Sequence, residues 1–241
     1  MKNTVIMIPS RLKAKRLPNK PLLDIAGIPM IAHVLKRAQS TDIKNIFVTT
    51  PDVEIEKVVF KHNGKAIITS HHHLNGTDRI HEALTLIKDK YDIVINLQGD
   101  MPDISPKIIE MLNNYMVKNP DIEVSTLSSL LSNSDIKKKN VVKVQTKNKI
   151  NINEFSDAID FFRCIYNTKG NIYHHIGIYA YRINTLKKFI LFNKTRNEIK
   201  RSLEQMRLID NKINIKVGLT KDNPISVDTN EDIIKIRKSL K

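Results

Sequence analysis

Four short apolar runs in the first half of this chain, TVIMI (4–8), NIFVTT (45–50), KAIITS (65–70) and DIVINLQGD (92–100), are separated by stretches of helical spacing. That alternation constrains the fold more than any other feature. Continuous apolar runs suit strands covered on both faces, and such strands belong to sheets with helices on either side. The first predicted helix runs roughly from Pro29 through Ser40, with Ile31, Val34, Leu35 and Ala38 at helical spacing. EIEKVVFKHN (54–63) reads as a second helix, closed near Gly64, and TDRIHEALTLIKDK (77–90) as a third. SPKIIEMLNNYMVKN (105–119) is a fourth, opening on a Ser-Pro start. The expected class is α/β.

After about residue 124 the rhythm changes. VSTLSSL and VVKVQ read as antiparallel strands, whereas NKININEFSDAIDFF has no clear period. GNIYHHIGIYAYR (170–182) is a strand, followed by helices near 184–192 and 197–210 and a strand INIKVGL at 213–219. In VDTNEDIIKIRKSL either Asp228 or Thr229 would cap a last helix. With no repeat and no linker, the expectation is one domain over 1–241 with an inserted, partly antiparallel segment at about 124–196.

No apolar run approaches the length that spans a bilayer, and the opening VIMIP meets a proline before a signal-peptide core is reached. The single Cys164 excludes an internal disulfide, in keeping with a reducing compartment. A cytoplasmic protein without membrane insertion is expected. A net charge of +15 raises nucleic acid as a partner. However, Lys, Asn and Ile are spread throughout, Trp is absent, and no basic helix carries interleaved aromatics, so no nucleic-acid partner is expected.

The charge does concentrate in one loop. PSRLKAKRLPNKPL (9–22) holds Arg11, Lys13, Lys15, Arg16 and Lys20, two internal prolines and no acid. It follows the first strand, at the sheet edge where α/β folds bind ligands. Arg11, Arg16 and Lys20 there would grip a triphosphate, Arg with bidentate geometry and Lys as a point charge. The loop lacks the glycines and GK[ST] ending of a P-loop. Two carboxylates complement it, Asp100 after NLQG and Asp228 in VDTNED, each just beyond a strand. Mg²⁺ takes one or two protein carboxylates and fills its remaining positions with phosphate and water, which this pair suits.

Taken together, PSRLKAKRLPNKPL, HLNGTDR (73–79), NLQGDMP (96–102), HIGIYAYR (175–182), LEQMR (203–207) and VDTNED resemble, in order and spacing, the 3-deoxy-manno-octulosonate (Kdo) cytidylyltransferases, also called CMP-Kdo synthetases. The resemblance spans nearly the whole chain. It implies a nucleotidyltransferase fold, Rossmann-like and GT-A-like, with a mixed sheet flanked by helices and a smaller dimerisation part, hence a homodimer. It also implies the reaction CTP + Kdo → CMP-Kdo + pyrophosphate, a step of lipopolysaccharide biosynthesis. In that scheme the anomeric hydroxyl attacks the α-phosphorus in line, and Mg²⁺ stabilises attacking and leaving oxygens without a dedicated side-chain base.

Carried over by position, Arg11, Arg16, Lys20 and Asp100 are the expected catalytic group. Ser10, Arg11, His73, Gly76, Arg79 and Gln98 belong to the nucleotide side. Gln98, His175, Tyr179, Glu204, Gln205 and Asp157 belong to the sugar-acid side, and Asp100 and Asp228 to the metal.

The chain departs from that family at several points. Ala14 and Asn19 stand where Ser and Gly are usual, and Asn is the residue that best tolerates the left-handed backbone of such a turn. Met101 replaces the Glu of QGDEP, and FSDAIDFFRC replaces FSRA-x-IP, so that Asp157 stands where Arg is expected. Three consequences are open: a sugar bearing a cation, such as 8-amino-Kdo or a nonulosonate; rescue by Arg163; or a weakened enzyme. A rival class is a non-enzymatic polyanion binder. Asp100 and Asp228 argue against it, because a polyanion binder gains nothing from carboxylates at the mouth of a basic site.

Of the run His71-His72-His73, at most two side chains can share one direction. The block resemblance puts His73 beside the nucleotide.

Overall fold

The structure is a computed structural model and describes residues 3–13, 17–73, 75–165 and 170–240. Arg16, one of the expected catalytic cations, and Ala14 lie outside the described residues. The chain divides into two compact units, 1–110 with 224–241, and 111–223.

In the first unit, β1 (Thr4–Pro9) leads through the basic loop to a small hairpin of β2 (Asp24–Ile25) and β3 (Ile28–Pro29). Next come α1 (Met30–Gln39), β4 (Asn45–Thr50), α2 (Val53–Lys61), β5 (Ala66–Ile68), α3 (Gly76–Leu86), β6 (Ile93–Asn96) and α4 (Pro106–Lys118), within which the division falls. The strands are parallel in the order β5-β4-β1-β6. Every residue of β1 and β6 is buried, as runs covered on both faces require.

The chain winds outward from β1 through β4 to β5 and then returns, through α3, to the other side of β1. The reversal leaves a crevice at the carboxyl ends of β1 and β6, the switch point where α/β sheets take ligands.

Two boundaries differ from expectation. Asn63, at φ 57, supplies the left-handed residue after α2, while Gly64 is required by packing, since a Cβ there would lie 2.5 Å from Leu35 Cδ2. The third helix stops at Leu86 instead of continuing to residue 90, because Ile87 turns extended at ψ 143.

In the second unit, β7 (Val124–Ser129), α5 (Asn133–Ile136), β8 (Lys143–Thr146), β9 (Phe155–Phe162) and β10 (Asn171–Arg182) precede α6 (Ile183–Leu191), α7 (Arg196–Arg201), α8 (Met206–Asp210) and β11 (Ile215–Leu219). The order is β10-β7-β11-β9-β8, and β8 also pairs with the first residues of β10. The sheet is mixed: β7 is antiparallel to β10 but parallel to β11. The aperiodic stretch resolves into β9. A single helix over 197–210 is corrected to two, because Ser202 adopts φ 52 and closes α7. The chain then returns to the first unit and ends on α9 (Asn230–Ser239). None of the described helices is long and apolar enough to cross a membrane.

Candidate active site

A cavity of about 800 Å³ opens at the switch point, lined by Pro9, Ser10, Arg11, Lys13, Leu17, Lys20, Gln98, Gly99, Asp100 and Asp228, with the α3 entrance (His71, His73, Asn75, Gly76, Arg79) on its other wall. Every lining residue belongs to the first unit. The size suits a nucleotide.

Each wall has a local cause. Pro9 and Ser10 continue β1, and the loop after β6 packs against them so closely that a Cβ on Gly99 would sit 3.0 Å from the Pro9 carbonyl oxygen. Asn75 caps α3, its side chain accepting the Asp78 N–H at 2.7 Å, so the first turn of that helix faces the cavity. The basic loop is tied down by Leu12 N–H donating to Asp52 and Asn19 N–H donating to the Leu12 carbonyl. Asn19 takes the left-handed conformation at φ 56, as its residue type allows. Leu17 anchors the loop in a cluster with Ile25, Met30, Val227, Ile233 and Ile236, which joins it to α9.

The electrostatics favour an anion. Arg11, Lys13, Lys20 and Arg79 face the cavity against two carboxylates. Arg79 is 2% exposed and donates to Thr69 Oγ1 and the Ser70 carbonyl. Burial, and then the positive charge of Arg11, hold its guanidinium below the ordinary arginine value, the mark of a cation-rich wall. Arg11 donates to the His73 carbonyl at 3.1 Å, and the His73 ring bonds Glu82. His71 and His73 line the cavity two residues apart, and His72 does not. Gln98 donates to Asn96 Oδ1 at 3.0 Å. The Ser10 hydroxyl is buried with no hydrogen-bond partner among the described residues, a polar atom left for a ligand.

Lys20 lines the same cavity and sits between the two acids. Its ammonium lies 2.7 Å from Asp100 Oδ2, 3.4 Å from Asp228 Oδ1 and 2.9 Å from the Val227 carbonyl. Burial opposes its charge, but the two carboxylates outweigh that and hold Lys20 above the ordinary lysine value. Asp228 is available for this because Thr229, not Asp228, caps α9 in a capping box with Asp232. Two carboxylates converging on one cation are a donor set that suits Mg²⁺ with phosphate oxygens. Met101 does not line the cavity; it is 3% exposed and belongs to the core.

Across residues 5–215 the sequence matches the family described as cytidylyltransferase. A 3-deoxy-manno-octulosonate cytidylyltransferase of Rhodopseudomonas palustris (strain TIE-1) is 38% identical over 98% of this chain and 97% of its own. The chain belongs to the 3-deoxy-manno-octulosonate cytidylyltransferase family. A Bartonella tribocorum cytidylyltransferase of the same name is 36% identical over 98% of each chain. The structure of a CMP:2-keto-3-deoxy-manno-octonic acid synthetase complexed with CTP superposes with a TM-score of 0.90 at 36% identity, over 99% of this chain and 98% of that one.

This cytidylyltransferase carries its remaining expected residues on the second unit. His175 and Tyr179 lie on β10, with ring centroids 5.4 Å apart, on either side of a bulge between Ile176 and Tyr179. The Thr126 hydroxyl reaches into that bulge and donates to the Ile178 carbonyl at 2.6 Å. Its oxygen then accepts from His175 Nε2–H at 3.0 Å, which fixes the tautomer of the neutral ring. Thr126 was missed in sequence, because only the bulge gives its hydroxyl that position. Tyr179 is pushed well above the ordinary phenol value by burial, and then by Tyr181 and Glu204, so it stays a donor. Glu204 and Gln205 form the turn between α7 and α8.

Asp157 is paired with Lys216 at 2.7 Å, on the adjacent strand β11. The charge reversal is therefore met by the chain itself, and no cationic sugar is needed to explain it. Arg163 is not the substitute cation. Its guanidinium donates to the Lys139 and Ser202 carbonyls.

His175 makes stability dependent on pH. Burial pushes its imidazole down to about 3. The unfolded chain takes up a proton near pH ~6.5 that the native ring refuses, so stability falls by about 1.4 kcal/mol for each pH unit from ~6.5 toward 3. Lowered His174 acts in the same direction. Thermal melting at about pH 7 and about pH 5 should show the loss, and His175→Gln should flatten it. An unchanged pH slope in that variant would exclude His175 as the source.

Proposed function

We propose that this protein transfers CMP from CTP to the anomeric hydroxyl of Kdo, releasing pyrophosphate and supplying CMP-Kdo to lipopolysaccharide biosynthesis. One observation carries the reading: in a member of this family, Asp100 and Asp228 converge at the mouth of a cation-lined cavity at the sheet's switch point.

The cavity residues do most of their work by position and charge. Arg11, Lys13 and Arg79 hold the triphosphate and neutralise the charge that builds on pyrophosphate as its bond to the α-phosphorus breaks. Ser10, His73, Gly76 and Gln98 bound the nucleotide side. Asp100 and Asp228 would hold Mg²⁺, which when bound neutralises phosphate charge and lowers the pKa of a coordinated hydroxyl. On the second unit, His175, Tyr179, Glu204 and Gln205 are the sugar-acid contacts. Neutral Tyr179 suits an anionic substrate as a donor that carries no charge of its own, while His175, its one N–H given to Thr126, packs beside the Tyr179 ring.

The enzyme acts in the cytoplasm, where CTP is found, as a homodimer. Exposed Leu130 and Leu191 of the second unit support that association.

Pyrophosphate release from purified protein with Mg²⁺ and CTP tests the reading, with Kdo, 8-amino-Kdo and N-acetylneuraminate offered separately. Release with Kdo is expected. Binding of CTP without release on Kdo would overturn it, and release with 8-amino-Kdo alone would move the assignment to an amino sugar.

A further inference from the structure

The basic loop and the acid pair meet in a way that the transfer reaction does not itself demand. Lys20 has three N–H groups, and three acceptors surround them: Asp100, Asp228 and the Val227 carbonyl. The segments carrying the two acids are locked together, because Val227 N–H donates to the Asp100 carbonyl. Asp228 is held from the other side, its N–H donating to Asp232 Oδ2 at 3.1 Å. The backbone therefore holds the two acids close together, and in a partly buried site their repulsion is less screened than at the surface. A cation between them relieves that repulsion, and in this structure Lys20 supplies it. Lysine suits the task better than arginine, as a compact charge on a flexible stem that can leave without moving the backbone.

We propose that Lys20 is a resident counter-cation that keeps divalent metal out of the nucleotide-free protein, so that metal enters only with the triphosphate toward which Lys20 then turns. This rests on Asp100 and Asp228 being the metal ligands. It explains how one lysine serves both ends of the cavity: it neutralises the acids in the free protein and the phosphates in the complex. It also sets an order of events, with no metal-loaded enzyme waiting for substrate.

Mn²⁺ titration followed by the electron paramagnetic resonance of the free ion tests this on the full chain. Wild type is compared with Lys20→Gln, which keeps a hydrogen-bonding nitrogen without the charge, and with Lys20→Met. Cooperative melting in excess chelator shows that each variant is folded. Without nucleotide, at least one folded variant is expected to bind Mn²⁺ about tenfold or more tightly than wild type, since a repelling charge has gone. Wild type is expected to take up Mn²⁺ tightly only once CTP is added.

If the folded variants bind no tighter than wild type while wild type with CTP takes up Mn²⁺, the gate is overturned and the metal assignment stands. If Asp100→Asn in the Lys20→Gln background leaves the tight binding intact, the ion lies elsewhere and the acid-pair assignment fails with the gate. If wild type with CTP also takes up no Mn²⁺, both are overturned.

Discussion

Asp100→Ala should lower the rate of pyrophosphate release by about 10²–10³-fold or more, the scale expected when one preorganised electrostatic group is removed from a transition state. The loss should fall on turnover more than on CTP affinity, because Arg11, Lys13 and Arg79 still line the cavity proposed to take the triphosphate. Asp100→Asn should lose nearly as much, since the amide keeps the size and removes the charge. Asp103→Asn is the matching control. That carboxylate accepts the Ile225 N–H and does not line the cavity, so turnover should stay near wild type. Steady-state kinetics on the three variants check this, and equal losses at Asp100 and Asp103 would refute the assignment.

Arg207→Met should destabilise the protein by about 3–5 kcal/mol, the cost of leaving a buried charge unpaired. Arg207 grips Glu198 through Nε and Nη2, both partners being at most 9% exposed, and its guanidinium lies 4.6 Å from the Phe189 ring centroid. Removing Arg207 strands the Glu198 carboxylate. The double variant Arg207→Met/Glu198→Leu should recover much of the loss, as apolar replacements of buried ion pairs do. Recovery should stop short by about 1 kcal/mol, because Glu198 also completes the capping box with Thr195 at the start of α7. Chemical denaturation of the three variants measures both quantities. A double variant no more stable than the single one would show that the pair does more than neutralise itself.

The sequence carried the alternation of strand and helix in the first unit because burial on both faces leaves a continuous apolar run, as in β1, and amphipathic burial leaves the Ile31–Val34–Leu35–Ala38 stripe of α1. It also carried the cation-rich loop and the two acids. What it did not carry is long-range or conformational. The break at Ser202 depends on a left-handed residue that is not glycine, held by Leu203 N–H donating back to the Glu198 carbonyl. Nothing near Asp157 in sequence points to Lys216, since β9 and β11 become neighbours only through the sheet. Likewise, a count of charges in PSRLKAKRLPNKPL cannot tell that Lys20, among the cations lining the cavity, pairs with Asp100 and Asp228.

The return of residues 224–241 to the first unit has a consequence for synthesis. Asp228, Val227 and the apolar face of α9 are translated only after the whole second unit. At about 5–20 residues per second a ribosome needs on the order of ten seconds to cross that interval. Through that time the nascent first unit has β1, the basic loop and Asp100 but no second acid, and Leu17, Ile25 and Met30 have no helix to cover them. A chain stalled or clipped before residue 224 would expose that apolar surface, where chaperones and proteases act, before it could bind a nucleotide productively.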